Sequence, residues 1–89
     1  MGGRPALGLM PDYDFDGEGL RIERVTEGGA AATAGLKDGD VITKLADREV
    51  TDVQGYMAVL GGLQPGQKTT VVVERDGAKK TLQVTIGSR

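Results

Sequence analysis

Cysteine and histidine are absent from this 89-residue chain, and serine occurs once, at Ser88 next to the C-terminus. The usual thiol nucleophile, imidazole base and zinc ligand sets are therefore missing. On that ground the chain is expected not to be an enzyme and to carry no cofactor. The lack of cysteine also excludes a disulfide framework and leaves the redox compartment open. Tryptophan is missing too, and there is one phenylalanine, so a core must come mainly from Val, Leu, Ile and Ala within a 38% hydrophobic composition. With 11 basic and 13 acidic residues the net charge is −2, and no basic footprint for nucleic acid is present. No apolar run reaches membrane-spanning length, and Met1-Gly2-Gly3-Arg4-Pro5 is not a secretion leader. These features suggest one domain cut from a larger chain, with any targeting signal left on the parent.

What is present centres on Gly35-Leu36-Lys37-Asp38-Gly39-Asp40-Val41-Ile42. Gly35 can end a helix in the left-handed conformation and Leu36 can fold back onto its last turn. Gly39-Asp40 turns the chain again, and Val41-Ile42 opens a buried strand. Ahead of this lie the five small residues 30–34, which fit one or two helical turns packed close to a neighbour. Beyond it, residues 44–50 continue through a bend at Asp47-Arg48 into a second short strand.

Residues 7–10 make a short apolar strand interrupted by Gly8 and closed by Pro11. A glycine there either permits close approach by something else or serves packing and twist. The acidic loop 12–18 is followed by 20–25, which alternates apolar and polar as a half-buried strand does. Asp12, Asp14, Asp16, Gly17 and Glu23 match the calcium-loop spacing D-x-D-x-D-G-x5-E. Pro11 prevents an entering helix, Gly19 occupies the usual apolar position, and Glu23 would point outward beside Arg21. A solvated hairpin loop is the default, so no metal site is favoured.

Thr51-Asp52-Val53-Gln54 fits a capping box with Thr51 as the cap, starting a helix over 52–61 that stops at Gly61-Gly62. Tyr56, Val59, Leu60 and Leu63 form one apolar stripe, and Val53, Met57 and Leu60 an adjacent one. Such a helix is either deeply packed or has one face on the core and another on a groove. Strands 68–75 and 79–86 meet at Asp76-Gly77, a strong hairpin signal.

This order, with Ala34-Gly35-Leu36-Lys37-Asp38-Gly39-Asp40-Val41-Ile42, the helix at 51–62 and the Pro65-Gly66 hairpin, resembles a PDZ domain from about Arg4 to Gly87. The nearest likeness is the bacterial, circularly permuted, protease-associated type. Residues 4–13, with Met10-Pro11-Asp12-Tyr13, also look like the C-terminal PDZ modules of bacterial zinc aminopeptidases. The resemblance implies an α+β, mainly β fold: a partly open antiparallel barrel of five to six strands capped by two helices. Residues 1–3 would be a disordered start, 4–87 the domain and 88–89 a tail.

It also implies a function. A partner's C-terminal or extended segment would add as a strand between strand 7–11 and helix 52–61. The amides of Leu7, Gly8 and Leu9, following Ala6, would hold its carboxylate, with Arg4 as the preceding basic residue and Met10 continuing the edge. Gly8 would let the carboxylate approach, and Gly8→Val would abolish binding at less stability cost than Ile42→Ala. Leu7, Leu9, Met57 and Leu60 would form a pocket for an apolar last residue. Val53 would favour an apolar residue two positions earlier, and the loop 12–19 could overhang the groove and select basic residues upstream. The isolated domain would be monomeric, without nucleic-acid binding or membrane insertion, and its parent periplasmic, envelope-bound or secreted. The competing expectation is a docking domain within a parent peptidase that binds no free peptide tightly. Ala30, where a proline is usual, and Ala46-Asp47-Arg48, where Asn-Gly or Gly-Lys is usual, depart from the pattern away from the groove.

Overall fold

The computed structural model describes residues 3–88 of the chain; the expected disordered Met1-Gly2 and the final Arg89 lie outside them. The elements run β1 (Pro5–Ala6), β2 (Leu9–Pro11), β3 (Leu20–Val25), α1 (Ala30–Ala34), β4 (Val41–Leu45), β5 (Arg48–Glu49), α2 (Val53–Gly61), β6 (Lys68–Arg75), β7 (Ala78–Thr85) and β8 (Gly87–Ser88). Five strands form an antiparallel path β2-β3-β4-β6-β7, β5 pairs with β4 off that path, and β1 pairs with β8 in a separate ribbon. The result is mainly β, curled but not closed, with two helices.

The alternation expected for β3 places Leu20 and Ile22 in the core and Arg21 and Glu23 outside. Ile42, Leu45, Val71, Val73, Val84 and Ile86 join them, with Ala31, Leu36 and Leu60 from the helical segments. Tyr56 is the one aromatic side chain in this cluster among the described residues. Leu36 is 4% exposed and its N–H donates to the Ala31 carbonyl at 3.0 Å, while Gly35 closes α1 at φ 99°. The helix stop, the fold-back and the strand start therefore form as their residues suggest.

Three boundaries differ. Leu7 and Gly8 are not in the edge strand but in a loop between β1 and β2, and Pro11 is the strand's last residue rather than its terminator. Ser88, expected in a loose tail, pairs with Pro5. The cap of α2 is Asp52, not Thr51: its Oδ1 accepts from the Gly55 N–H at 2.7 Å. The Thr51 carbonyl instead accepts from the Gly19 N–H at 3.0 Å, anchoring the end of the acidic loop. Carboxylate and hydroxyl are comparable caps, so the tertiary bond at Thr51 decides between neighbours.

The bend between β4 and β5 falls at Ala46-Asp47, where both residues have positive φ, 54° and 65°. That is the type I′ geometry favoured by hairpin twist, built here without glycine. Asp47→Gly is expected to raise stability by about 0.5–1 kcal/mol by relieving the left-handed penalty. An unchanged or lower urea midpoint would show that the turn is not under strain.

Asp40, 1% exposed, is the buried charge of the fold. Arg75 grips it with Nε to Oδ1 at 2.8 Å and Nη2 to Oδ2 at 2.7 Å, and the Lys37 N–H donates to Oδ2 at 3.0 Å. Arg75 Nη2 also donates to the Gly35 carbonyl at 2.9 Å. One guanidinium thus ties the end of α1, the start of β4 and the end of β6. Burial alone would push the Asp40 carboxyl up, but the Arg75 hydrogen bonds, the Lys37 amide and the two nearby positive charges together hold it below its ordinary value.

Candidate functional site

A groove of about 780 Å³ runs between the β1–β2 segment and α2. It exists because β2 is the outer strand of its sheet and α2 does not cover that edge. Of the residues expected there, Arg4, Ala6, Leu7, Gly8, Leu9, Met57 and Leu60 line it. Met10 does not: strand alternation turns it to the opposite face, where it is 52% exposed. Val53 lies outside the groove as well, in an adjoining hollow of about 290 Å³ with Tyr13, Phe15 and Asp52.

The loop joining β1 to β2 has the polar feature of interest. The Leu7 carbonyl accepts from the Ala31 N–H at 2.7 Å and the Gly8 carbonyl from the Thr26 N–H at 2.8 Å. The Leu7 and Gly8 amides have no such partner, donating to no acceptor among the described residues. The bond to Thr26 also makes Leu9 and Val25 a pair that does not exchange hydrogen bonds, so the Leu9 amide faces the free edge. Three consecutive N–H groups in residues lining the groove are thus left without an acceptor in the fold, donors that an anion could take.

Gly8 is required as glycine by its own backbone and by a close neighbour. Its φ is +75°, and a Cβ there would lie 3.2 Å from Gly29 Cα and 3.6 Å from the Ala30 nitrogen. The missing side chain faces the start of α1. Gly8 is closely apposed to Gly29, which agrees with the packing alternative.

The sequence reading leaves out several lining residues. Pro11 and Tyr13 close one end, with Tyr13 71% exposed, while Pro5, Gly87 and Ser88 contribute from the β1–β8 ribbon. Tyr56, assigned to the core stripe, is 3% exposed and also lines the groove. No buried side-chain polar atom lacks a partner among the described residues, and the Tyr56 hydroxyl makes no hydrogen bond with them, so that oxygen is accessible to solvent. Its dual placement was foreshadowed only by tyrosine's apolar body and polar tip. Burial pushes the phenol well up, keeping it a neutral donor.

The calcium-loop spacing is not realised in space. Among the described residues no three His, Cys, Asp or Glu side chains come together to hold a metal. Asp12 is used within its own loop, accepting the Asp14 N–H at 3.0 Å and lying 3.9 Å from Arg21.

An edge strand, a loop of free amides and a facing helix over an apolar groove define a peptide-binding type of β domain. Residues 5–86 match the family described as PDZ domain, and the chain belongs to that family. It is 35% identical over 83 residues to serine protease PepD of Mycobacterium tuberculosis, covering 92% of this chain and 18% of that protein. It is 40% identical over 70 residues to a probable periplasmic serine endoprotease, DegP-like, of Ectopseudomonas mendocina, covering 79% and 15%. Among solved structures, the HtrA-type protease AlgW with a decapeptide superposes with TM-score 0.89 at 30% identity, over 98% of this chain and 30% of that one. An aminopeptidase N family protein from Idiomarina loihiensis superposes with TM-score 0.85 at 26% identity, over 97% and 14%. The chain thus spans under a fifth of these curated relatives and is of the bacterial, peptidase-associated kind. The catalytic protease domains of these relatives have no counterpart in it.

Proposed function

We propose that this domain binds the free C-terminal end of a polypeptide, as an accessory module of a larger bacterial protease or peptidase working in the cell envelope. The observation that carries the reading is the run of three acceptor-free amides, Leu7, Gly8 and Leu9, at the mouth of an apolar groove. A terminal carboxylate would take those donors, and the ligand chain would extend along β2 as an added strand. The last side chain would enter the space between Leu7, Leu9, Met57 and Leu60, which is apolar and, through the 56% exposed Met57, adaptable. Val, Leu, Ile, Ala or Phe suit it. The AlgW structures with a decapeptide and a tripeptide support this use of the fold, and the periplasmic naming of the DegP-like relatives supports the envelope assignment.

The test is an amide-resolved NMR titration with peptides ending in apolar residues, beside the same peptides carrying C-terminal amides. Shifts should concentrate at 7–11 and 56–61. Amidation should weaken binding about ten- to a hundredfold, the worth of one or two charge-assisted hydrogen bonds. Equal binding by amidated peptides would refute carboxylate recognition. No shifts at millimolar peptide would leave the domain as a docking unit within its parent.

A further inference from the structure

The free edge of β2 is not uniform along its length. The Thr26 N–H donates to the Gly8 carbonyl at 2.8 Å, and the Asp12 N–H donates to the Arg21 carbonyl at 2.9 Å. Between these bonds Leu9 pairs with Val25, Met10 with Arg24 and Pro11 with Ile22, with a bulge between Met10 and Pro11. In an antiparallel ladder, bonds so placed mean that Met10 directs its backbone groups into β3 while Leu9 and Pro11 direct theirs outward. Those two are the positions an added strand would use. The second is a proline, which has no N–H to give.

We infer that Pro11 leaves the carbonyl of a bound C-terminus's third-from-last residue without its backbone donor, and that the ladder stops there with the end of β2, so that a longer extended segment adds nothing. The inference rests on the peptide-binding reading and narrows its ligand class. A strand antiparallel to β2 turns every second residue toward it. With the last residue opposite Leu9, its N–H donates to the Leu9 carbonyl, and the third from last lies opposite Pro11 and donates its N–H to the Pro11 carbonyl. Its own carbonyl then faces the Pro11 ring, where any other residue would offer an amide. Past that point the groove is closed by Tyr13, which also separates it from the hollow holding Val53. A proline on an open edge also discourages pairing with a second sheet.

The experiment uses the 89-residue chain and N-acetylated peptides of three, five and eight residues sharing one apolar C-terminal tripeptide. Affinities for the unaltered domain should agree within about threefold, because no hydrogen bond is added beyond the tripeptide. An ester in place of the amide after the third-from-last residue weakens that residue's carbonyl as an acceptor, and should change affinity by less than about twofold. Pro11→Val restores the donor: peptides of all three lengths should then bind the variant about fivefold tighter than they bind the unaltered domain, and the ester should become costly. Should the variant not fold, the ester comparison in the unaltered domain decides alone. An eight-residue peptide binding the unaltered domain tenfold tighter than the tripeptide, or an ester that weakens it there, overturns the inference while leaving carboxylate binding intact. If no peptide binds, or amidation has no effect, the underlying reading fails and this one with it.

Discussion

Replacing Asp40 with alanine is expected to lower the unfolding free energy by about 3 kcal/mol at pH 7, read by urea denaturation. The carboxylate is 1% exposed and takes three hydrogen bonds, two from Arg75 and one from the Lys37 N–H. Its removal leaves a guanidinium that retains only the Gly35 carbonyl and partial hydration. For a domain of this size, with a stability on the order of 5–10 kcal/mol, that is a large share. Asp76→Asn is the control, since Asp76 is exposed and acts on Arg75 through its charge, and asparagine tolerates the φ of 53° at that turn; it should cost less than about 0.5 kcal/mol. The pH dependence follows from the sign of the shift. The folded-state pKa is depressed, so the Asp40 contribution is complete above the unfolded value of about 4 and is lost as pH falls through the folded value. Stability of the unaltered chain should therefore fall more steeply below about pH 4 than that of Asp40→Ala. Parallel acid limbs would mean that the pair contributes nothing.

Gly8→Val is expected to cost about 3 kcal/mol or more, no less than the 3–4 kcal/mol of a core truncation such as Ile42→Ala. A β-branched residue would be forced to a φ of +75°, and its Cβ would press within 3.2 Å of the Gly29 backbone. A Cβ placed on Gly29 would likewise lie 3.3 Å from Gly8 Cα, so the two backbones are closely apposed and an added side chain has to displace the start of α1. Gly8→Ala should cost less, about 1–2 kcal/mol, and should still disturb the three amides. Urea denaturation of both variants beside Ile42→Ala checks the order. A Gly8→Val domain within 1 kcal/mol of the parent would show that the two glycines are not in tight apposition.

Local features of the fold were the legible ones. Gly35-Leu36, Asp76-Gly77 and the alternation of residues 20–25 each dictate their own backbone within a few residues, and each forms as its chemistry demands. Where two neighbours could do the same work, distant contacts made the choice: Asp52 caps α2 because the Thr51 backbone is engaged by Gly19. The link between Asp40 and Arg75 spans 35 residues of sequence, and no local pattern announces it. For the groove, the family resemblance identified the loop and the facing helix, and seven of the nine expected residues line the cavity. Met10 and Val53 do not, since alternation after the 7–8 loop and the projection of Tyr13 depend on where the edge strand begins. Which neighbour Gly8 accommodates was not legible, because Gly29 lies 21 positions away.

The antiparallel ribbon of Pro5–Ala6 with Gly87–Ser88 has a mechanical consequence. Force applied outward at both ends of the domain would load this two-residue ladder in a peeling geometry, one pair at a time, before any load reached the sheet. Arg4, Pro5, Ala6, Gly87 and Ser88 all border the groove, so the first structure lost under tension is one wall of the binding cleft, while the core of β3, β4 and β6 still stands. The cleft is the mechanical fuse of the domain.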